Sequence, residues 1–193
     1  ELDAGQRAGV FDITHGSLRQ LGLLRQLLGN MLRKPLNPPQ LEPLILVALY
    51  QLAFTRAAPY AVVDYAVRAT ERAGWPWAKG LVNALLRRFL RAREALLAQA
   101  RSTAQGRYSY PQWWIDRIRA TYPEHWEAIL EAGNRQPGMA LRVNVRRGTR
   151  ADYLRVLRDA GIEAAAVDDV GVHLEHAVER HPLRVVHTHG RKL

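Results

Sequence analysis

Apolar residues recur at three- and four-residue intervals from the start of the chain, at Val10, Ile13, Leu18, Leu21, Leu24, Leu27, Leu28, Met31 and Leu32. That spacing predicts one or two amphipathic helices ending near Arg33. The segment Lys34-Pro35-Leu36-Asn37-Pro38-Pro39 stops the pattern, because proline lacks a backbone donor and biases the residue before it away from helix. From Glu42 to Thr55 the chain is apolar almost all round, as expected of a central, buried helix. A further helix is predicted over Tyr60 to Ala73, with Val62, Val63, Ala66, Val67 and Ala69 on one side, closed by Gly74-Trp75-Pro76-Trp77. Lys79 to Ala100 carries the stripe Leu81, Val82, Leu85, Leu86, Phe89, Leu96 and Leu97. The first hundred residues are therefore predicted to be a bundle of about five helices.

Ser102 to Gly106 is small and polar, the composition of a linker, and a helical pattern resumes from Pro111 to Gly133 with Trp113, Trp114, Ile115, Ile118, Trp126, Ile129 and Leu130. The period then changes. Met139, Leu141, Val143 and Val145 alternate with Ala140, Arg142, Asn144 and Arg146, which predicts a strand. A helix is predicted over Ala151 to Ala160, stopped by Gly161, and Ile162 to Leu174 supplies one or two short strands. Strand, helix and strand in this order open a split βαβ or ferredoxin-like unit. The expected fold is mainly α: a helical bundle over 1–102, a helical linker over 103–138, and a small, incomplete α+β unit over 139–193 with an atypical tail. Residues 181–193 show neither pattern.

Charge adds a partner class to this picture. The chain of 193 residues carries a formal net charge of +10 and a pI near 10.6. A surplus of that size suits a polyanion, since each phosphate neutralised by Lys or Arg releases condensed counterions. Residues 1–102 hold 14 Lys and Arg against 7 Asp and Glu, and residues 103–193 hold 14 against 11, so the bundle is the more basic part. No apolar run approaches the roughly 20 residues needed to span a bilayer, so no membrane partner is expected. There are no cysteines, which excludes a disulfide, a thiolate zinc site or a cysteine nucleophile within these residues. Without a secretory start the expected location is cytoplasmic, and a first residue Glu1 suggests a beginning inside a longer reading frame.

The most informative surface is the stripe Lys79, Asn83, Arg87 and Arg91, spaced by four and hence on one helix face, with Arg88 and Arg93 alongside. A guanidinium presents a fork of donors that matches two phosphate oxygens at once. A solvated helix face is the plainer explanation of the same spacing; the net charge favours RNA. A second candidate is the polar face of the predicted strand, Arg142, Asn144 and Arg146. Tyr108, Tyr110, Trp113, Trp114 and Trp126 are expected to pack in a core rather than stack on bases. His173 with His176, and His187 with His189, are expected to be ordinary surface histidines rather than metal ligands, because no cysteine or acidic set accompanies them. Gly-rich phosphate loops, HExxH and GxSxG are missing, so no catalytic, cofactor-binding or metal-binding residue is expected.

Three segments carry a family resemblance: Ala48-Leu49-Tyr50-Gln51-Leu52, Thr55-Arg56-Ala57-Ala58-Pro59-Tyr60-Ala61, and Lys79-Gly80-Leu81-Val82-Asn83-Ala84-Leu85-Leu86-Arg87-Arg88. Together they resemble the NusB-type helical domain, which antitermination factors share with rRNA cytosine-5 methyltransferases. The continuation through Tyr108-Ser109-Tyr110-Pro111-Gln112-Trp113-Trp114 and Asn134-Arg135-Gln136-Pro137-Gly138-Met139-Ala140-Leu141-Arg142-Val143-Asn144 is similar to the linker and small N1 domain of RsmB-type (Sun/Fmu) enzymes. The resemblance covers roughly residues 2 to 179. It implies a cytoplasmic role in ribosome biogenesis, RNA binding by the helical region, and small-subunit (16S) rRNA as partner. In the complete family, S-adenosylmethionine sits in a Rossmann-like domain, and a cysteine attacks C6 of cytosine so that C5 accepts the methyl group. Neither the cofactor loop nor a cysteine is present here, so these residues alone are expected to be inactive and to position rRNA for a methyltransferase domain outside them. The alternative is a NusB-like antitermination module binding RNA and a ribosomal protein, against which the extension past residue 106 argues. A third possibility is that the bundle mainly packs on its own catalytic domain. Near Arg180 the chain departs from the family pattern, as a frameshift, a truncated gene or an artificial end would each explain.

Overall fold

The computed structural model describes residues 3–135 and 138–174. The chain divides between Arg135 and Gln136 into two compact units. The first holds α1 (Ala4–Arg19), α2 (Leu21–Met31), α3 (Leu41–Phe54), α4 (Pro59–Arg72), a 3-10 turn (Pro76–Ala78), α5 (Lys79–Arg91), α6 (Arg93–Arg101), α7 (Ala104–Tyr108), α8 (Gln112–Thr121) and α9 (Trp126–Asn134). The second holds β1 (Met139–Arg142), α10 (Arg150–Asp159), β2 (Ala164–Val167) and β3 (Gly171–Leu174).

Local chemistry sets where several of these elements start. Asp3 accepts from the Gln6 amide at 2.7 Å while the Gln6 side chain accepts from the Asp3 amide at 3.1 Å, a capping box that opens α1. Pro59 occupies the first turn of α4, where a missing N–H costs nothing. α3 is the central helix: Leu41, Ile45, Leu46, Ala48, Leu49, Tyr50, Leu52 and Ala53 are all buried. Val82, Leu85, Leu86 and Phe89 turn the inner stripe of α5 into the same core. Six α-helices fall within 1–102 among the described residues, rather than about five, because the predicted Lys79 to Ala100 helix breaks at Ala92. There the carbonyl of Ala53, at the end of α3, accepts from Arg93 Nη2 at 2.7 Å.

Three large apolar residues of α1, Val10, Phe11 and Leu18, are not in the core. Val10 is 50% and Leu18 61% exposed, because α1 meets α3 through small residues: Gly16 lies so close to the Tyr50 ring that a Cβ there would overlap it. Leu81, which shares the apolar stripe of α5, is also exposed. Between 104 and 134 the chain is largely helical and packed. Tyr108, Ile115, Ile118 and Leu130 form a buried cluster joined by Tyr110 and Trp126, and α7 rests on α2 and α6. Trp113 and Trp114 are surface residues, contrary to expectation, because Ile115 and Ile118 take the inward face of α8.

In the second unit the three strands lie in the order β1-β3-β2, both pairings antiparallel. A Thr149–Asp152 capping box starts α10, and Gly161 at φ +72° ends it, with the Ile162 amide donating to the Leu157 carbonyl. Among the described residues of this unit, Leu157, Val172 and Leu174 are fully buried. β1 is shorter than predicted: it ends at Arg142, opposite Gly171, instead of running to Arg146. Asn144 diverts the chain, accepting on its side chain from the Arg146 amide at 3.1 Å and on its carbonyl from the Arg147 amide.

Candidate nucleic-acid interface

The basic stripe sits on α5, which pairs with α4 through a turn at Gly74, φ +81°. The inward face of each helix is committed to core, Val62, Val63 and Ala66 on α4 and Val82, Leu85, Leu86 and Phe89 on α5. What remains between them is an open groove lined by Tyr60, Asp64, Lys79, Gly80, Asn83 and Arg87 over a floor that includes Val63 and Val67.

Within this groove Arg87 Nε donates to Asn83 Oδ1 at 2.9 Å, so one turn of α5 orients the next. Lys79 Nζ pairs with Glu71 of α4 at 2.6 Å, with both side chains nearly half exposed. Asp64 pairs with Arg68 one turn on, at 3.4 Å. The remaining stripe residues behave differently. Arg91 is exposed at the last turn of α5. Arg88 turns toward α2, where its Nη1 donates to the Met31 carbonyl at 3.0 Å; it closes a helix end with a charged donor and so holds the fold together. Lys79, Asn83 and Arg87, spaced by four, thus line one groove, while Arg88 is tied into the bundle.

The second predicted group belongs to the other unit and is not one strand face. Arg142 lies on β1, while Asn144 and Arg146 are in the turn that follows. Near Arg142, the β2–β3 turn carries Asp168 at φ +48°. Amides of Val170 and Gly171 donate to its carboxylate at 2.9 and 2.7 Å and hold its pKa below the ordinary carboxylate value, with Arg150 and Arg142 adding to the effect. His173 packs its ring against Gly138, and His176, His187 and His189 lie outside the described residues. Among the described residues no group of three or more His, Cys, Asp or Glu side chains is placed to hold a metal, and no helix is long and apolar enough to cross a membrane.

Two residues of the groove, Tyr60 and Asp64, do not stand out in the sequence. Tyr60 is 81% exposed, and the available signal is its position directly after Pro59 and off the Val62–Val63–Ala66 face. Trp113, expected in a core, is likewise exposed.

Two family models match the chain in sequence order: the NusB family over residues 1–91, and the Methyltr_RsmF/B-like, ferredoxin-like domain over residues 110–181. A relative in Coxiella burnetii, named probable ribosomal RNA small subunit methyltransferase B, is 36% identical over 178 residues, 90% of this chain and 41% of the relative. Ribosomal RNA small subunit methyltransferase B of Vibrio cholerae is 42% identical over 153 residues, 78% of this chain and 35% of that protein. The protein of the same name in Pseudomonas syringae is 40% identical over 168 residues, 86% of this chain and 38% of its own length. The chain thus spans well under half the length of these curated relatives. Among solved structures, the crystal structure of PH0851 aligns over 92% of this chain and 42% of its own, with a TM-score of 0.62 and 15% identity, a likeness of fold. With a NusB-family match followed by an RsmF/B-type ferredoxin-like match, the chain has the domain order of, and is similar over most of its length to, a part of the ribosomal RNA small subunit methyltransferase B proteins.

Proposed function

We propose that this chain is an RNA-binding region of a small-subunit rRNA cytosine-5 methyltransferase, acting in the cytoplasm to position rRNA for methyl transfer. The observation that carries this reading is the α4/α5 groove, where Lys79, Asn83 and Arg87 line one surface of the more basic part of a chain with net charge +10. Arg91 continues the stripe, and Arg142, Asn144 and Arg146 offer a second, smaller set of donors. The relatives are named for rRNA methylation, and the ferredoxin-like domain after the bundle weighs against a free-standing antitermination factor.

S-adenosylmethionine is the methyl donor expected for the full-length family. Residues of this chain do not fit it: among the described residues no Gly-rich loop joins a strand to a helix, and the sequence has no cysteine to attack the base. No step of methyl transfer is assigned to them. Their part is to hold RNA by charge and by oriented donors.

The test is binding of the chain to a small-subunit rRNA segment and to an unrelated RNA of equal length, titrated over several salt concentrations. Tight, salt-sensitive binding that prefers the rRNA is expected. The double variant Arg87→Ala/Arg91→Ala should weaken it and lower the slope of log affinity against log salt by about 1 for each phosphate that is no longer neutralised. Unchanged affinity and slope in that variant would remove the α5 face from the interface.

A further inference from the structure

Beyond a basic face, the groove between α4 and α5 has the makings of a seat for single-stranded RNA. Tyr60 is 81% exposed, although its neighbours Val62 and Val63 are buried, so the core makes no use of an aromatic ring at this position. Exposed rings suit unpaired bases, because every base offers a π-face and stacking needs no particular sequence. The same groove contains Arg87, whose Nε is engaged by Asn83 Oδ1. That hydrogen bond leaves the two terminal nitrogens of the guanidinium as the edge presented to a ligand, and those are the atoms that fork a phosphate. With Oδ1 occupied, Asn83 has its amide N–H groups to donate.

Asp64 decides between single and double strands. It lines the same groove, and its pair with Arg68, at 3.4 Å with both side chains well exposed, offsets its charge only in part, so a continuous ladder of phosphates laid along the groove would cross a carboxylate. A splayed nucleotide avoids this conflict by setting one phosphate at Arg87 and turning its base over Tyr60. Lys79 does not compel a longer backbone track either, since its charge is already matched by Glu71 at 2.6 Å.

We propose that the α4/α5 groove seats an unpaired RNA nucleotide, its base stacked on Tyr60 and its adjoining phosphate forked by Arg87. The proposal rests on the RNA-binding reading above and adds to it a strand class and a stacking residue.

The experiment measures binding of the chain and its variants to fluorescein-labelled octacytidylate and to an eight-base-pair RNA duplex, each at several salt concentrations. Tyr60→Ala should lose about 5- to 100-fold in affinity for the single strand, the range of one lost base stack, with an unchanged salt slope and unchanged duplex binding. Tyr60→Trp keeps a ring and should retain affinity within about twofold, which separates stacking from any effect on folding. Arg87→Ala should lower the single-strand salt slope by about 1. If Tyr60→Ala binds the single strand as before while Arg87→Ala weakens it, the stacking seat is overturned and the basic face stands. Equal losses on single strand and duplex overturn the strand preference. If neither variant affects RNA binding, the groove is removed from the interface and the proposal is overturned, whereas no measurable RNA binding by the unsubstituted chain would overturn the RNA-binding reading itself.

Discussion

The hydroxyl of Tyr108 donates to the carboxylate of Glu127, with the ring buried among Ile115, Ile118 and Leu130. Burial and then this hydrogen bond push the phenol pKa from its ordinary 10.0 up to about 12, with Arg107 opposing the shift. A raised phenol pKa means that the folded state favours the neutral ring. Its contribution is complete below pH 10, where the unfolded tyrosine is also neutral, and is lost as pH rises toward 12. Denaturant unfolding measured across this window should show a stability increment that disappears between about pH 10 and 12. Tyr108→Phe should lack that increment; an identical alkaline profile in both proteins would dismiss the assignment. Arg87 and Arg88 are neighbours in sequence with different fates, since one orients on Asn83 beside a groove and the other donates to the Met31 carbonyl at the end of α2. Helical periodicity separates them by about a hundred degrees, and only the position of α2 gives Arg88 its structural partner.

Among the elements, α2 and α7 show how a tertiary contact reverses a local preference. Gly22 lies inside α2, where alanine is intrinsically the better helix former by about 1 kcal/mol. A Cβ there would stand 2.6 Å from the Gln105 carbonyl and 2.7 Å from the Ser109 Cα, backbone atoms that cannot swing aside. Ser109 is itself left-handed at φ +57° and accepts from the Leu23 amide at 3.3 Å, so the end of α7 is locked to the first turn of α2. Gly22→Ala should therefore destabilise the protein by about 1–3 kcal/mol, the usual cost of overpacking, as measured by the denaturation midpoint. A stabilised variant would mean that α7 does not hold this position in solution. The helices themselves were legible from their apolar spacing, as α3 and α5 show, whereas the outward turn of Val10, Leu18 and Trp113 was not. A helix with apolar residues on more than one side buries the side its neighbours cover, and those neighbours are distant in sequence.

For the whole molecule, the decisive feature is that, among the described residues, the two units have separate cores of very different size. The bundle core draws on α2 through α6, with the α7–α9 cluster beside it, whereas the described core of the second unit centres on Leu157, Val172 and Leu174. Leu157→Ala should cost about 2–5 kcal/mol, a large fraction of what so small a unit possesses. Amide exchange should then lose protection across β1, β2 and β3 while α3 and α5 keep theirs. Simultaneous loss of protection in the bundle would show that the two units fold as one.

From the amino-acid sequence alone followed the positions of most helices, the change from helical to alternating period near Met139, the surplus of positive charge, and the two-domain resemblance. These are local or additive properties: a helix writes its period into neighbouring residues, a cap into three or four of them, and charge into a count. Tertiary structure alone decided that β1 stops at Arg142, that α1 meets α3 through Gly16, and that Arg88 belongs to the fold. It also brought Tyr60 and Asp64 of α4 into one groove with Asn83 and Arg87 of α5. Each of these depends on which surfaces meet across long stretches of chain, a choice made by the packing of the whole core and recorded in no single segment.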